Sequence, residues 1–299
     1  MSNIAKFTEK FAGYAISSRN RHPDLRDRTA TARSFSENKP DKGFADVTLP
    51  PNQVKMSNDF LRSALFSVKK RSLEDAGSFD REKIAMFGNA TMYLTGKKLD
   101  QTDYKVYEAL IQKFKGEDTL IKTSIPGILT MMNVQDNESY RHSLLVSLRR
   151  LNDCRIEITT PNYRYLGGLV NSIQIKEDNE VIVKLGNELA IMFSRQNWTR
   201  LDRNHRDYLG KNSMATWLYN FCMTHSNMFP ISRSTIRKLC GNEDISQNKF
   251  NAKLKFAIAL INNELGQFGW ECRIDEDKLY VTKPILGKPG DVKGQTIFI

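Results

Sequence analysis

The string SIPGILTMMNVQDNESYRHSLLVSLRRLND, residues 124–153, contains the pattern that determines the predicted fold. Ser124 is a predicted N-cap, with Pro126 in the first turn of a short helix. Asn133–Gln135 predicts a turn, and Asp136 is the predicted N-cap of a long helix that extends to about Asn152. Two helices joined by a tight turn are typical of a helix-turn-helix.

The elements on either side of this string complete a larger motif. Asp100 caps a predicted helix that ends at Gly116. Three strands are predicted downstream, at Cys154–Thr160, Tyr163–Ile175 and Val181–Leu185. Three helices, the last two joined by a tight turn, followed by a β-hairpin are the element order of a winged helix-turn-helix.

The same element order occurs a second time in the C-terminal part of the chain. Its helices and strands are predicted, in chain order, at Ser213–His225, Ser232–Cys240, Ser246–Leu265, Trp270–Ile274 and Lys278–Thr282. The similarity lies in the order of the elements and not in residue identity. We therefore predict an α+β protein with tandem winged helix-turn-helix domains, at residues 56–185 and 186–285.

The two ends of the chain differ from these domains in composition. Residues 1–55 contain ten Lys or Arg against six Asp or Glu, with few large apolar side chains between Ser17 and Pro51. Such a segment buries too little apolar surface to offset its ordering entropy, so we predict a disordered basic N-terminal arm. The arm is either solvated or in contact with phosphates. Residues 286–299 predict a flexible C-terminal tail.

The charge balance favours a polyanionic partner. The chain has 299 residues and a mass of 34.3 kDa, with 45 Lys and Arg against 34 Asp and Glu. The net charge is +11 and the pI is near 9.4. A basic balance of this size makes nucleic acid the first candidate partner.

The sequence predicts a bacterial cytoplasmic protein with no membrane partner. It contains no apolar run of the roughly 18–20 residues that a membrane span needs, and no apolar core of a signal peptide at its N-terminus. The cysteines form no CxxC pair, which argues against a zinc site or a disulfide framework and fits a reducing compartment. They are Cys154, Cys222, Cys240 and Cys272.

One face of the first long helix is predicted to meet DNA. At about 100° per residue, its leucines cluster on one side, and small hydroxyls, a histidine and two arginines lie on the other. The second helix of a helix-turn-helix presents its outward face to base edges in the major groove. The DNA-binding candidates are Ser139, His142, Ser143, Arg149 and Arg150. The alternative is an ordinary basic surface.

The second long helix divides in the same way. Its predicted DNA-binding residues are Asn248, Lys249, Ala252 and Lys255. Phe256 also points outward, and we interpret it either as an interdomain contact, which we favour, or as an apolar contact to a thymine methyl group.

Two further arginines are predicted to bind phosphates outside the long helices. Arg164 lies near the turn Pro161-Asn162, interpreted as a hairpin tip, and Arg233 begins a short helix. Phosphate contacts of this kind fix the register of a protein on the duplex without reading its sequence.

One string resembles an enzyme motif. The string HRDYLGKN, residues 205–212, has the spacing of a kinase catalytic loop, but the chain lacks the Gly-rich loop, strand lysine and DFG motif that a kinase needs. We interpret it as an interdomain helix and turn. HExxH, Walker A and GxSxG motifs are absent from the sequence as well. We therefore predict no enzymatic activity, no catalytic residue, no metal and no cofactor.

Several short strings, in order, resemble the TrfA family of plasmid replication initiators. The resemblance covers about residues 56–285. The strings are Asn58–Phe66, Tyr93–Gly96 with Leu99–Asp103, Leu144–Ile158, Trp217–Phe221 with His225, and Leu239–Gly241. They are structural motifs and not catalytic ones.

The resemblance implies a specific function. TrfA-like proteins bind repeated origin sequences (iterons) in double-stranded DNA, promote opening of the adjacent DNA, and recruit host DnaA and the DnaB helicase. It also implies a monomer–dimer equilibrium that controls plasmid copy number, and binding to single-stranded DNA. The alternative is a two-domain winged-helix transcriptional repressor without initiator activity.

The family also binds the polymerase sliding clamp through a QLSLF-like peptide. This sequence has no QLSLF string, and the most similar one is QTIFI at residues 295–299. Gln295, Ile297 and Phe298 are therefore the clamp-binding candidates, although Thr296 departs from the leucine of the family motif. The alternative is a frayed terminus.

Overall fold

The structure is a computed structural model that describes residues 49–70, 79–114, 120–193 and 197–284. The predicted C-terminal tail, with Gln295, Ile297 and Phe298, lies outside the described residues, as does the predicted arm up to residue 48. The arm is predicted to reach Lys55, but a strand begins at Gln53 and buries Val54. The structure thus corrects the end of the arm, because strand pairing and burial order the chain from Gln53 onward.

The first half of the described chain contains ten strands and four helices. In chain order these are β1 (Gln53–Ser57), α1 (Asn58–Leu61), β2 (Phe66–Ser67), β3 (Phe79–Ile84), β4 (Thr91–Gly96), β5 (Leu99–Asp100), α2 (Gln101–Lys113), β6 (Leu120–Ser124), α3 (Ile125–Met131), α4 (Glu138–Asp153), β7 (Arg155–Thr159), β8 (Arg164–Gly168), β9 (Ser172–Ile175) and β10 (Glu180–Lys184).

The second half repeats part of this order. After a 3₁₀ helix at Asn187–Phe193 come β11 (Trp198–Asp202), α5 (Arg203–Tyr208), α6 (Ser213–Met223), β12 (Ile231–Ser232), α7 (Arg233–Leu239), α8 (Gln247–Leu265), a 3₁₀ turn at Gly266–Phe268, β13 (Glu271–Asp275) and β14 (Lys278–Thr282).

Several helices begin at a capping residue that the sequence identifies. Asp100 forms a capping box with Asp103 at the start of α2, and Ser124 and Ser246 cap α3 and α8. The predicted cap of α4 is off by one residue. Asn137, not Asp136, accepts the backbone N–H of Tyr140 at 3.0 Å, because Asp136 binds the guanidinium of Arg141 instead.

Two three-stranded sheets have the same strand order. In one, β6 pairs with β10, which pairs with β9, and in the other β12 pairs with β14, which pairs with β13. We call α2, β6, α3, α4, β9 and β10 the first unit, and α6, β12, α7, α8, β13 and β14 the second unit. In both units the long helix packs against the first helix, α2 or α6. The repeat inferred from element order is thus present in the strand pairing as well.

The hairpin of the first unit differs from the predicted one. The predicted strand Tyr163–Ile175 is broken into β8 and β9, because the chain bends where Leu169 and Val170 turn into the core. A Cβ on Gly168 would lie 2.9 Å from the carbonyl oxygen of Val170, so this bend needs a glycine. Strands β7 and β8 join a separate four-stranded antiparallel sheet of order β3-β4-β7-β8.

A two-stranded ribbon connects the two halves of the chain. Strand β1 runs antiparallel to β11, with Lys55 opposite Arg200 at its centre. One further backbone hydrogen bond extends the ribbon at each end. The N–H of Asn58 donates to the carbonyl of Asn197 at 3.0 Å, and the N–H of Arg203 donates to the carbonyl of Asn52 at 2.8 Å. The described residues fall within one compact unit, and the predicted boundary at residues 185 and 186 stays a prediction.

Among the helices described, none is both long and apolar enough to cross a membrane.

Candidate nucleic-acid interface

Helix α4 presents most of its predicted DNA-binding face to solvent. Leu144, Leu148 and Leu151 are buried, so the opposite side of the helix faces outward. Ser139, His142 and Arg149 are exposed on that side and Ser143 is half-buried. The outward orientation matches the prediction, and contact of these four residues with DNA stays a prediction.

Arg150 points into the protein, which corrects its prediction as a DNA-binding residue. Its side chain is only 12% exposed, and its Nη1 lies 3.4 Å from Oδ2 of Asp103 and 3.7 Å from Oδ2 of Asp100. The end of α4 packs on the start of α2, where these two buried carboxylates form the capping box. Arg150 points inward because a buried carboxylate pair needs a cation nearby.

Burial perturbs one of these carboxylates. The pKa of Asp103 is raised to about 6, first because it is buried and second because the charge of Asp100 is close. A hydrogen bond from Ser147 and the charge of Arg150 act in the opposite direction. Arg150 therefore belongs to the support of the first unit and is unavailable to a nucleic acid.

Arg164 is exposed and lies next to the Pro161-Asn162 hairpin turn, as predicted, but that hairpin belongs to a different sheet from the hairpin of the first unit. It lies on β8 in the four-stranded sheet, and its Nη2 donates to Oε1 of Glu157 at 2.7 Å. Glu157 also accepts a hydrogen bond from Arg81, and the two bonds lower its pKa. Arg164 is thus not at the hairpin tip of the first unit, because that tip is the turn between β9 and β10.

The hairpin tips of both units are acidic. Glu177 and Asp178 are exposed in the first, and Glu276 and Asp277 in the second. Asp277 accepts a hydrogen bond from Nε of Arg233 at 2.6 Å, and the carbonyl of Glu276 accepts one from Nη2 of the same arginine at 3.0 Å. Arg233 is thus held by its own hairpin, and clustered carboxylates make these tips unfavourable neighbours for phosphates.

Helix α8 presents the larger cationic face. Asn248, Lys249, Ala252, Lys253 and Lys255 are all exposed, while the opposite side of the helix is buried. The sequence of α8 contains one carboxylate, Glu264 in its last turn. Within the described part of the chain, the three lysines form no ion pair. The face is therefore cationic without internal neutralisation, as a phosphate-binding surface requires.

Phe256 lies on the same face. The favoured interpretation, an interdomain contact, does not cover its ring, because the residue remains 63% exposed. It lines a groove together with Val68 and with residues 211–214, which include the first residues of α6.

Lys211 brings the two long helices into one region. Its Nζ lies 5.8 Å from the ring centroid of Tyr140, in the first turn of α4, and it also lines the groove beside Phe256 on α8. A hydrogen bond from Asn133 to Asp207, 3.2 Å long, joins the turn before α4 to α5. Lys211 therefore lies near the first turn of α4, beside the half-buried ring of Tyr140, and near Phe256 on α8. The sequence could not reveal this residue, because nothing in a local pattern marks Lys211.

The turns before α4 and α8 are built alike. Each follows the short helix with a residue in the left-handed region, Asn133 with φ 53° and Gly241 with φ 64°. Each also contacts the other half of the chain, since the carbonyl of Gly241 accepts a hydrogen bond from Ser67 at 2.9 Å. A Cβ at residue 241 would lie 2.8 Å from Oγ of Ser67, so only glycine fits this contact.

The kinase-like string forms α5 and the turn that follows it. Arg206 is 2% exposed and forms an ion pair with Glu108 of α2, which is equally buried. His205 packs on the ring of Phe268, with the centroids 4.6 Å apart, and burial lowers its pKa. No group of three or more potential metal-binding side chains occurs within the described ranges. These contacts pack α5 against the rest of the protein. That the protein is not an enzyme stays a prediction.

Comparisons with known proteins identify no family. No protein-family model matches the chain, and no curated protein matches it. Two crystal structures of domains 2 and 3 of RctB are similar to it. One has a TM-score of 0.48 at 12% identity, covering 75% of this chain and 95% of that chain. The other has a TM-score of 0.45 at 14% identity, covering 73% and 92%.

A likeness at this level does not define the fold. The interpretation of the two units therefore depends on the strand order, burial and charge of this chain itself. Membership of the TrfA family stays a prediction.

Proposed function

We propose that the protein binds double-stranded DNA sequence-specifically through two winged-helix units, with α4 and α8 as recognition helices. The observation that carries the proposal is the pair of outward helix faces, a polar one on α4 and a cationic one on α8. In a helix-turn-helix the second helix enters the major groove, and two modules on one duplex address grooves about one turn apart. The matching strand orders support the assignment of α4 and α8 to that position.

The exposed faces of α4 and α8 suit different kinds of contact with DNA. Lys249, Lys253 and Lys255 suit phosphates, whose neutralisation gives sequence-independent, salt-dependent affinity. Ser139 and His142 are short polar side chains that suit hydrogen bonds to base edges. The acidic tips of the hairpins indicate that the helices and not the wings supply the main contacts.

The more specific proposal is a plasmid replication initiator. It rests on the ordered strings that resemble the TrfA family, such as Asn58–Phe66 and Trp217–Phe221. In this proposal the DNA sites are iterons, and several bound copies deform and open the neighbouring DNA. Host DnaA, the DnaB helicase, single-stranded DNA and the sliding clamp would be its further partners, and a monomer–dimer equilibrium would set copy number.

Binding is tested with the full-length chain and a library of random duplexes. We expect selection to enrich one sequence long enough to span two successive major grooves, protected from cleavage over that length. Ser139→Ala and His142→Ala should change the preferred sequence, whereas Lys122→Ala, an exposed lysine on β6, should change neither sequence nor affinity. Failure to enrich any sequence, with normal folding of the protein, would contradict sequence-specific binding.

Initiation is tested separately. A plasmid that carries the gene and its flanking DNA, without another origin, should replicate in a bacterial host, and deletion of the selected sites should abolish replication. Replication failure together with repression of the gene's own promoter would identify the repressor alternative instead.

A further inference from the structure

Phe256 is an aromatic side chain that the folded chain leaves uncovered on a DNA-binding candidate face. Its ring is 63% exposed although burial of a phenylalanine is ordinarily favourable. The side chains three and four positions away on α8 are Ala252, Lys253, Ala259 and Leu260, and the first three of these are exposed. Because two of the exposed neighbours are alanines, a partner that approaches this face meets the ring and the flexible side chain of Lys253.

The surroundings of the ring are cationic. The groove beside it has a volume of about 490 Å³ and is lined by Lys211, Lys253, Ala252, Val68 and the start of α6. None of its lining residues is acidic. A partner that fits here therefore offers an apolar group to the ring and negative charge to the two lysines.

Duplex DNA presents an apolar group close to negative charge wherever a thymine faces the major groove. The C5 methyl of thymine is the apolar group that base pairs present in the major groove, and phenylalanine is among the side chains that contact it. Phosphates flank the groove on both sides, within reach of lysines on the same helix. A second copy of this chain fits less well, because a symmetric contact would place lysine against lysine.

We propose that Phe256 contacts the C5 methyl group of a thymine and so determines the base pair that α8 prefers at that position. The inference rests on the proposed DNA-binding function and adds a specificity-determining residue and its base. A neighbouring turn of DNA would meet α4, whose outward residues Ser139, His142, Ser143 and Arg149 include no phenylalanine, tyrosine or tryptophan.

The test uses the duplex enriched by selection with the full-length protein. Each thymine in turn is replaced by deoxyuridine, which removes only the methyl group, and dissociation constants are measured for the wild type and for Phe256→Ala. We expect one position where the wild type loses about fourfold in affinity, the value for one buried methyl-sized group. At that position Phe256→Ala should bind both duplexes equally. Leu166→Ala, which alters another exposed apolar residue on β8, should keep the wild-type pattern.

The outcomes separate this inference from the function on which it rests. If the wild type binds the selected duplex but no thymine shows an effect that depends on residue 256, the methyl contact is wrong and DNA binding stands. A change in oligomeric state in Phe256→Ala, with unchanged methyl dependence, would likewise overturn it in favour of a protein contact. If no duplex is selected at all, the DNA-binding proposal itself fails.

Discussion

The two units have the same strand order but use their cationic side chains differently. In the first unit, Arg150 is held by Asp100 and Asp103, and Arg141 is held by Asp136. In the second unit, Lys249 and Lys255 on α8 are exposed and have no acidic partner within the described part of the chain. A shared topology therefore does not imply shared electrostatics, and we infer that the second unit supplies most of the phosphate affinity.

The first unit also carries an insertion that the second lacks. Strands β7 and β8 follow α4 directly and enter the sheet with β3 and β4, whereas β13 follows α8 after one short turn. Near the end of α4, Arg150 points towards Asp100 and Asp103 at the start of α2.

The largest expected effect concerns the buried ion pair between Arg206 and Glu108, which lie in different halves of the chain. Arg206→Ala should lower the free energy of unfolding by about 3–5 kcal/mol, because it leaves Glu108 as an unpaired buried charge. Urea denaturation measures the loss. The double variant Arg206→Met with Glu108→Leu should recover most of it, since apolar residues of similar volume replace a buried pair at little cost. If Arg206→Ala is as stable as the wild type, the pair has no structural role.

One contribution to the pH dependence of stability should come from Asp103 in the first unit. Because the pKa of Asp103 is raised from 3.8 to about 6 in the folded chain, the protonated carboxyl stabilises the fold at low pH. That stabilisation is complete below the unfolded pKa and is lost as the pH rises through 6, a total of about 3 kcal/mol. Stability curves of the wild type and Asp103→Asn should therefore converge or cross between pH 4 and 7. Parallel curves would contradict the raised pKa.

Arg150→Ala and Lys255→Ala should separate stability from binding. Arg150→Ala should destabilise the fold by about 2 kcal/mol, because Asp100 and Asp103 lose a charge-assisted partner. Its DNA affinity, measured where the variant is fully folded, should keep the salt dependence of the wild type. A reduced salt slope in Arg150→Ala would restore this residue to the interface.

The smallest expected effect is a change in DNA binding without a change in stability. Lys249→Ala and Lys255→Ala should each leave the thermal stability unchanged and lower the slope of log affinity against log salt by about 1, if each lysine contacts one phosphate. Titrations at three or more salt concentrations measure the slope. Lys122→Ala serves as the control, and a slope that stays at the wild-type value in both test variants would place the phosphates elsewhere.

Much of the secondary structure could be predicted from local patterns. The caps Asp100, Ser124 and Ser246 and the buried leucines of α4 lie where sequence reasoning places them, because capping and helical periodicity depend on residues a few positions apart. The exposure of Ser139 and Lys255 follows from the same periodicity.

The errors concern interactions over long sequence separations. Arg150 lies on the outer half of a helical wheel, but carboxylates about fifty residues earlier attract it inward. Arg164 follows a hairpin turn, but β7 pairs with β4, so β7 and β8 belong to another sheet and the hairpin of the first unit is formed by β9 and β10. Phe256 fits an interdomain contact by composition, yet its side chain remains 63% exposed in the folded chain.

The sequence alone determined the long helices of this protein, their order and their buried faces, because local hydrogen bonding and a period of 3.6 residues set these features. Only the tertiary structure decided which cations stay at the surface, which hairpin completes each unit, and that Lys211 adjoins both α4 and α8. Those outcomes depend on burial and strand pairing between distant segments, and the free energy of such contacts is absent from any local window of residues.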